Sequence, residues 1–486
     1  MAHYNGPIQM FLELSKRVPI SVIPGTTDDE DTLQADIFYL LIPELPRIRS
    51  LRLFLSNELL RELNSGIKKW TVPLLESIIL ELSDEVTPSP PNHPLVFLQN
   101  ASLPALRTLS LRRFRCTSVQ GFLRPTLTTL IVRMPSTVLP VAEWLGVMEE
   151  LPLLEYLVLD KALKDESLPS PVTRRVEMTH LARVELYDWY IENKCARLLD
   201  SLVLPSCHEI TLEVRALKLA AAENHSNTFS SVASAMGSQF KPKSCDLVLA
   251  PGLVIIQLWQ EMTPVLKYAE EICSAEHRSG LQRPQVNVFL TARGDPDPYD
   301  ALQTLSSALP LSNIRTLRLK NTGCDLGVHS LSTLQAVEDL MYVCTRPLKF
   351  LRTISKPEGC DPPPTPSSFP ALRHLTLRDA EWHKHGKLCL KPFSDPPLGP
   401  FIDAVVDARR AMGVPLQELH LQSVCNLDES QDLEWFKDAP KSVAIFSWDT
   451  KRRSRYYPSV PCDRCQRRMC GWTVGSDEES DGDLEW

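Results

Sequence analysis

Short catalytic signatures are missing from this 486-residue chain. It has no Gly-x-x-x-x-Gly-Lys, no Gly-x-Gly-x-x-Gly, no Gly-x-Ser-x-Gly and no His-Glu-x-x-His. Phosphate-cradling loops, dinucleotide sites, serine-hydrolase elbows and zinc-protease helices therefore have no local support. A long apolar run is lacking too. The most apolar window, Leu247 to Trp259, is broken by Pro251 and Gly252 and falls short of the roughly 20 residues that a bilayer-spanning helix needs. No membrane contact is expected. The start, Met1-Ala2-His3-Tyr4-Asn5-Gly6-Pro7, carries neither a basic stretch nor an apolar one, so a secretory signal is not expected.

Excess positive charge is also absent. The formal net charge is −8, and six acids lie in the last ten positions: Asp477, Glu478, Glu479, Asp481, Asp483 and Glu485. The rest of the chain is close to neutral and offers no general field for a phosphate backbone, which argues against nucleic acid as the partner. The basic run Lys451-Arg452-Arg453-Ser454-Arg455-Tyr456-Tyr457 has the composition of an import or nucleic-acid patch. With the acidic run downstream it reads as a solvated polyampholyte tail over 451–486. A nucleic-acid role through this segment is the remaining alternative.

The 13 cysteines are mostly scattered singly, as at Cys116, Cys195, Cys207, Cys245 and Cys273. Free thiols in a reducing compartment, cytoplasm or nucleus, follow. In such a compartment Asn100-Ala101-Ser102, Asn224-His225-Ser226 and Arg293-Gly294-Asp295 carry no glycan or adhesion role. Cys462-x-x-Cys465 with Cys470 offers three thiolates, whereas a structural zinc takes four ligands; whether these three bind zinc stays open. Trp382-His383-Lys384-His385, with His374 nearby, reads as an exposed turn rather than a metal site. No cofactor, metal or catalytic residue is expected, and the chain reads as non-enzymatic.

What the chain does have is one phrase, Leu-x-x-Leu-x-Leu, usually led by proline. It reads Leu45-Pro46-Arg47-Ile48-Arg49-Ser50-Leu51-Arg52-Leu53, then Val72-Pro73-Leu74-Leu75-Glu76-Ser77-Ile78-Ile79-Leu80, then Leu103-Pro104-Ala105-Leu106-Arg107-Thr108-Leu109-Ser110-Leu111. Further copies end on Leu127/Leu130/Val132, Leu154/Leu157/Leu159, Leu181/Val184/Leu186, Ile314/Leu317/Leu319, Leu372/Leu375/Leu377 and Leu416/Leu419/Leu421. The middle apolar residues of the first six, Leu51, Ile78, Leu109, Leu130, Leu157 and Val184, stand 27, 31, 21, 27 and 27 residues apart. That is the period of a leucine-rich repeat. The expected fold is an irregular α/β leucine-rich-repeat solenoid, with parallel strands on its concave face and helices on its convex face. A solenoid suits this length because each repeat buries its apolar edge against its neighbours.

Three regions follow: an N-terminal cap over 1–45, the solenoid with proline-rich insertions over 46–450, and the tail. The cap includes a strand at Ile20 and Val22 and an amphipathic stretch with Leu33, Ile37, Leu40 and Leu41. Helices are expected over Asn57–Trp70, Thr137–Leu151, Gln257–His277, Gly327–Cys344 and Pro400–Gly413. Weaker strands are expected at Cys207–Leu212, Cys245–Leu249 and Val286–Leu290. The Ser-rich Ala222–Ser244, Pro357–Pro370 and Pro392–Pro400 read as surface loops.

The run Phe11-Leu12-Glu13-Leu14-Ser15-Lys16-Arg17-Val18-Pro19-Ile20, followed by Leu45–Leu51 and Pro73–Ile78, resembles the fungal F-box-like leucine-rich-repeat proteins over residues 8 to 450. The resemblance implies repeats that select a protein for ubiquitination while a preceding helical F-box docks on the cullin-ligase adaptor. Here ten residues precede Phe11, so the F-box itself is missing from the matched stretch and adaptor docking is not expected of it. The repeat's usual asparagine, three residues after the last leucine of each core, is absent from most copies.

Strand alternation supplies the candidate surface. With Leu51, Leu53 and their equivalents inward, the intervening residues face outward. One column is Arg52, Ile79, Ser110, Ile131, Val158, Glu185, Thr211, Arg318, Thr376 and His420. The next is Phe54, Glu81, Arg112, Arg133, Asp160, Tyr187, Glu213, Lys320, Arg378 and Gln422. Arg112, Arg133, Tyr156, Asp160, Glu185 and Tyr187 are the candidate protein-binding residues, because mixed charge with tyrosines suits a protein partner better than a polyanion. The function expected is recognition of another protein on the concave face, as the substrate-binding portion of an F-box-type ubiquitin-ligase receptor; the alternative is a structural repeat protein with no ligase role.

Overall fold

Each copy of the phrase opens as a turn and closes as a strand. In Val72-Pro73-Leu74-Leu75 the Leu75 amide donates to the Val72 carbonyl at 3.2 Å. The same bond closes Leu103–Leu106 (3.3 Å), Arg124–Leu127 (2.9 Å), Leu151–Leu154 (3.1 Å), Leu204–Cys207 (3.2 Å) and Phe369–Leu372 (3.1 Å). Proline is the second residue in all six, where its fixed φ of about −65° presets the turn and its missing N–H is not called on. These six of the chain's 40 prolines are thus turn formers. Two more turns, Met178–Leu181 (3.2 Å) and Leu334–Val337 (3.5 Å), form without one.

The computed structural model describes residues 5–16, 18–23, 39–56, 59–60, 72–82, 101–116, 120–164, 174–188, 194–216, 222–237, 240–250, 253–262, 284–292, 307–321, 334–344, 347–355, 369–380, 382, 397–424, 435–436 and 443–449. It is a mixed α/β protein whose strands pair mostly in parallel, and it divides into two compact units. The first comprises Met1–Lys243, Pro251–Glu261 and Ser279–Leu311. The second comprises Ser244–Ala250, Met262–Arg278 and Ser312–Trp486.

In the first unit the strands are β1 (Ile20–Val22), β2 (Ile48–Leu55), β3 (Ser77–Leu82), β4 (Thr108–Arg112), β5 (Thr129–Arg133), β6 (Tyr156–Asp160), β7 (Val176–Glu177), β8 (Arg183–Asp188), β9 (Leu202–Val203) and β10 (Glu209–Ala216). The second unit contributes β11 (Ser244–Ala250), and the chain returns to the first for β12 (Leu253–Trp259) and β13 (Val286–Ala292). β1 through β6, then β8, β10, β13 and β12, pair in that order, while β7 and β9 form a separate parallel pair. Only β12 against β13 is antiparallel among these pairs. β14 (Thr316–Asn321), β15 (Asp339–Val343), β16 (His374–Arg378), β17 (Glu418–Gln422) and β18 (Ile445–Asp449) complete the second unit, where β11 pairs β14 and the rest follow in parallel.

Register follows the leucines. Leu51, Ile78, Leu109, Leu130, Leu157, Val184 and Ile210 lie opposite one another from β2 to β10, and all seven are fully buried. A second row, Leu53, Leu80, Leu111, Val132, Leu159, Leu186 and Leu212, is buried alongside. Burying one such side chain is worth about 1.5–3 kcal/mol, so the leucine rows are the main source of cohesion. Carbonyls where each strand begins reinforce the register. The Arg107 oxygen accepts from Thr128 (2.8 Å) and Thr129 (2.9 Å), and the Glu155 oxygen accepts from Ala182 (2.8 Å) and Arg183 (3.0 Å).

At the other end of the strands the backbone bends sharply. Arg113, Met134, Lys161, Asp379 and Ser423 each follow the last residue of a strand and have φ of 68°, 47°, 53°, 56° and 52°. None is glycine, and a left-handed side-chain-bearing residue costs on the order of 1–2 kcal/mol. Ladder bonds offset the cost: Arg113 donates to Arg133 O (2.9 Å), Met134 to Asp160 O (2.7 Å), Lys161 to Tyr187 O (2.8 Å) and Asp379 to Gln422 O (3.0 Å).

Helices occupy several connections: α1 (Asn5–Leu14), α2 (Val141–Glu149), α3 (Lys194–Asp200), α4 (Ala222–Met236), α5 (Leu348–Ser355) and α6 (Gly399–Ala411). In the first unit α2 buries Val141, Trp144, Leu145, Val147 and Met148, and Trp144 Nε1 donates to Ala162 O at 3.0 Å. α3 packs on α4, and in the second unit α5 packs on α6. Arg47 ties α1 to the turn before β2: it donates to Leu12 O (2.9 Å), Ser15 O (2.9 Å) and Val18 O (3.1 Å).

Several sequence expectations are corrected. Gln257–Trp259 belongs to β12, not to a helix, and 263–278 lies outside the described residues. Asp339–Val343 is β15, preceded by a turn, where a helix was expected over Gly327–Cys344. The Ser-rich Ala222–Ser244 is mostly helix α4, because Phe229, Val232 and Ala235 form one buried stripe. Trp382 is buried, with its ring 4.8 Å from Trp435 and 4.7 Å from Phe436, so it is no exposed turn residue. Most of Asn57–Trp70, the stretch 31–38, most of both proline-dense loops, His383, His385 and the tail with Cys462, Cys465 and Cys470 lie outside the described residues.

Candidate functional site

On the sheet face opposite the leucine rows of the first unit, three columns cross β2 to β10. The first is Ser50, Ser77, Thr108, Thr129, Tyr156, Arg183 and Glu209; the second Arg52, Ile79, Ser110, Ile131, Val158, Glu185 and Thr211; the third Phe54, Glu81, Arg112, Arg133, Asp160, Tyr187 and Glu213. Arg112, Arg133, Asp160 and Tyr187 are consecutive in the third column. Tyr156 and Glu185 come from the other two. The six candidates are thus side by side on β4, β5, β6 and β8.

Exposure divides them. Arg133 is exposed, while Arg112, Tyr156, Asp160 and Tyr187 are half-buried. Glu185 is only 5% exposed, and its column neighbours Val158 and Thr211 are buried too. Alternation alone placed all three outward, so the middle column is more enclosed than a bare sheet face.

A buried carboxylate must be paired or hydrogen-bonded, and Glu185 has both. The Tyr156 hydroxyl donates to Oε1 at 2.8 Å, the Tyr187 hydroxyl donates to Oε2 at 2.9 Å, and Arg183 forms an ion pair with the same group. Arg183 also lies 3.1 Å from Glu209 Oε1 and stacks over the Tyr156 ring at 4.8 Å. Burial, reinforced by the bond to Glu185, pushes the Tyr156 hydroxyl up to about 12, and Tyr187 is raised for the same reasons. Both phenols remain donors at neutral pH. The result is a rigid pair of tyrosine rings fixed by one carboxylate. Arg183 and Glu209 are members that the reading from sequence missed, although they lie in the same alternation as Tyr156.

On β2 to β4, Glu81 bridges Arg52 (3.0 Å) and Arg112 (3.4 Å), and Arg52 stacks on Phe54. Asp160 is held above the ordinary carboxylate range by burial, against the opposing pull of Lys161, Arg133 and Arg112. A raised folded value means that the native state binds the proton more tightly than the unfolded chain does. The group therefore favours the fold below the ordinary carboxylate range, and that contribution is lost as pH rises through the folded value. Asp160→Asn should accordingly be more stable than the parent at neutral pH, with the difference shrinking on acidification. Urea midpoints at neutral and acid pH check this; a gain that grows on acidification would refute it.

In the second unit the corresponding face carries an ion pair between the buried Asp246 and the half-buried Arg318 (2.9 Å), a His374–Asp339 contact, and His420 bonded to Glu418 (3.1 Å). Among the described residues no group of three or more His, Cys, Asp and Glu side chains could hold a metal ion. No described helix is long and apolar enough to cross a membrane, which says nothing of β-barrel spans. A shallow hollow of about 330 Å³ between the turns before β4 and β5 is lined by Ser102, Pro104, Arg124 and Thr126 among others. Its one titratable group, Arg124, donates to the Gly121 (3.2 Å) and Leu123 (2.8 Å) carbonyls. No family model and no curated protein matches this chain.

Proposed function

We propose that the turn-and-strand phrases stack as a leucine-rich-repeat solenoid with strands on its concave side, and that this side recognises another protein. The observation that carries the reading is the Tyr156–Glu185–Tyr187 arrangement. Two large amphipathic rings, half-exposed and already ordered by a buried carboxylate, lose little conformational entropy on binding, which is the property of interface anchors. Flanking arginines and acids give a polar rim. The family resemblance extends this to the substrate-binding part of an F-box-type ubiquitin ligase.

A steric block tests the reading. Ser110 and Ile131 are half-buried neighbours in the middle column, so the double variant Ser110→Trp, Ile131→Trp fills the face while leaving the tyrosines and arginines in place. Partners recovered from the native cell with the parent chain, and shown to bind directly once purified, should lose at least about tenfold in affinity for the variant, about 1.4 kcal/mol. Full retention by a variant of unchanged melting temperature would refute a docking role for this face.

A further inference from the structure

Charges on this face of the first unit sort by strand. Within the three columns, β2 to β5 carry Arg52, Arg112 and Arg133 against the acid Glu81, whereas β6, β8 and β10 carry Asp160, Glu185, Glu209 and Glu213 against the base Arg183, with Arg215 further along β10 beyond the columns. Glu81 is shared between Arg52 and Arg112, at 3.0 and 3.4 Å, so it neutralises the two incompletely. Arg133 lies directly opposite Arg112 across the β4–β5 pair. Neighbouring strands are about 4.8 Å apart, and like charges at directly opposed positions destabilise a sheet. Asp160 is directly opposite Arg133 on its other side, yet among the described residues the Arg133 side chain forms no ion pair or hydrogen bond. The Arg112 side chain is 41% exposed and Arg133 is exposed. Two arginines thus stand directly opposed on adjacent strands, both partly open to solvent, with Glu81 shared between Arg112 and Arg52 and Asp160 attracting both without an ion pair to either.

We propose that Arg112 and Arg133 jointly clamp the carboxylate of an acidic side chain on the protein partner. This rests on the reading of the face as a protein-binding surface and adds the chemistry that it selects. Guanidinium forks match a carboxylate with paired charge-assisted hydrogen bonds, and one bridging anion removes the repulsion between the two arginines. The acid-rich half on β6 to β10 repels the same group. An acidic residue of the partner is therefore steered to β4 and β5, beside the tyrosine pair rather than over it.

The probe is a short, fluorescently labelled Glu-Ser alternating peptide titrated with the full chain at low salt. Binding should be lost at high salt and absent for the matching Lys-Ser peptide. Arg112→Gln and Arg133→Gln should each weaken it about tenfold, as expected for losing a hydrogen bond to a charged group, while Arg410→Gln, an exposed control in the second unit, should leave it unchanged. No binding of the Glu-Ser peptide, or equal binding by both Gln variants, overturns the clamp. Should binding appear only after Asp477, Glu478, Glu479, Asp481, Asp483 and Glu485 are replaced by their amides, the clamp is filled by the chain's own tail, and an external acidic partner is overturned. If the tryptophan block abolishes binding of a native partner that both Gln variants retain, the clamp falls and the protein-binding reading stands.

Discussion

Leu109→Asp is expected to destabilise the protein by about 5 kcal/mol or more, because it adds an unpaired charge to the loss of a packed side chain. Leu109 is fully buried and lies in register between Ile78 and Leu130, both fully buried themselves. A carboxylate there finds no donor, since its neighbours along the row are hydrocarbon. The adjacent Ser110 is half-buried on the opposite face and two residues from Arg112, so Ser110→Asp should cost no more than about 1 kcal/mol. Thermal or urea unfolding of the two single variants provides the comparison. An unchanged midpoint for Leu109→Asp would remove it from the core and break the assignment of inward and outward faces on which the candidate site depends.

That assignment was legible from the sequence wherever the phrase is intact. From Leu51 to Val184 the leucine spacing places β2 to β6 and β8, because turn and strand are consecutive and the buried positions alternate; the short pair β7 and β9 lies outside the phrase. Legibility fails where a cue is missing. Leu334-Gln335-Ala336-Val337 makes the same turn without proline, and the Asp339–Val343 strand that follows is buried at four consecutive positions. A short continuous apolar run cannot be told from a buried helix by periodicity. Leu253–Trp259 has the same ambiguity, and it also reverses direction against β13, which no repeat of parallel strands anticipates.

The candidate site was legible as a set of neighbours but not as a network. Alternation brings Arg112, Arg133, Asp160 and Tyr187 into one column and says nothing of how side chains lean. It cannot tell that Glu185 is drawn below the surface by two tyrosine hydroxyls and Arg183, nor that Val158 is enclosed. Those facts change how the face should be probed. Tyr156→Ala or Tyr187→Ala would strip a donor from a buried carboxylate and confuse stability with binding, whereas adding bulk at Ser110 and Ile131 leaves that carboxylate satisfied.

The second large effect is expected at Arg409 on α6, a residue that no repeat pattern marks. It is 1% exposed, yet its guanidinium donates to the carbonyls of Phe369 (2.8 Å), Pro370 (3.1 Å) and Leu372 (2.7 Å). These belong to the turn that leads into β16. Burial lowers the pKa of Arg409, a sign that desolvation opposes the charge, so removing the residue also relieves a cost. Three charge-assisted bonds at about 1.5–3 kcal/mol each outweigh that relief. Strain adds to the balance: Phe369 has φ of 58°, a conformation that costs a side-chain-bearing residue on the order of 1–2 kcal/mol and that the bond to its carbonyl helps hold. Arg409→Leu should therefore destabilise by about 3 kcal/mol. Arg409→Lys should lose most of the same amount, since one ammonium cannot reproduce the planar fork. Native-state hydrogen exchange gives the local readout. The Leu372 amide, bonded at 3.1 Å to Phe369 O, and the amides of β16 should lose protection in both variants, while those of β2 to β6 stay protected. Parent-like exchange around Leu372 in Arg409→Leu would show that the turn closes without its arginine.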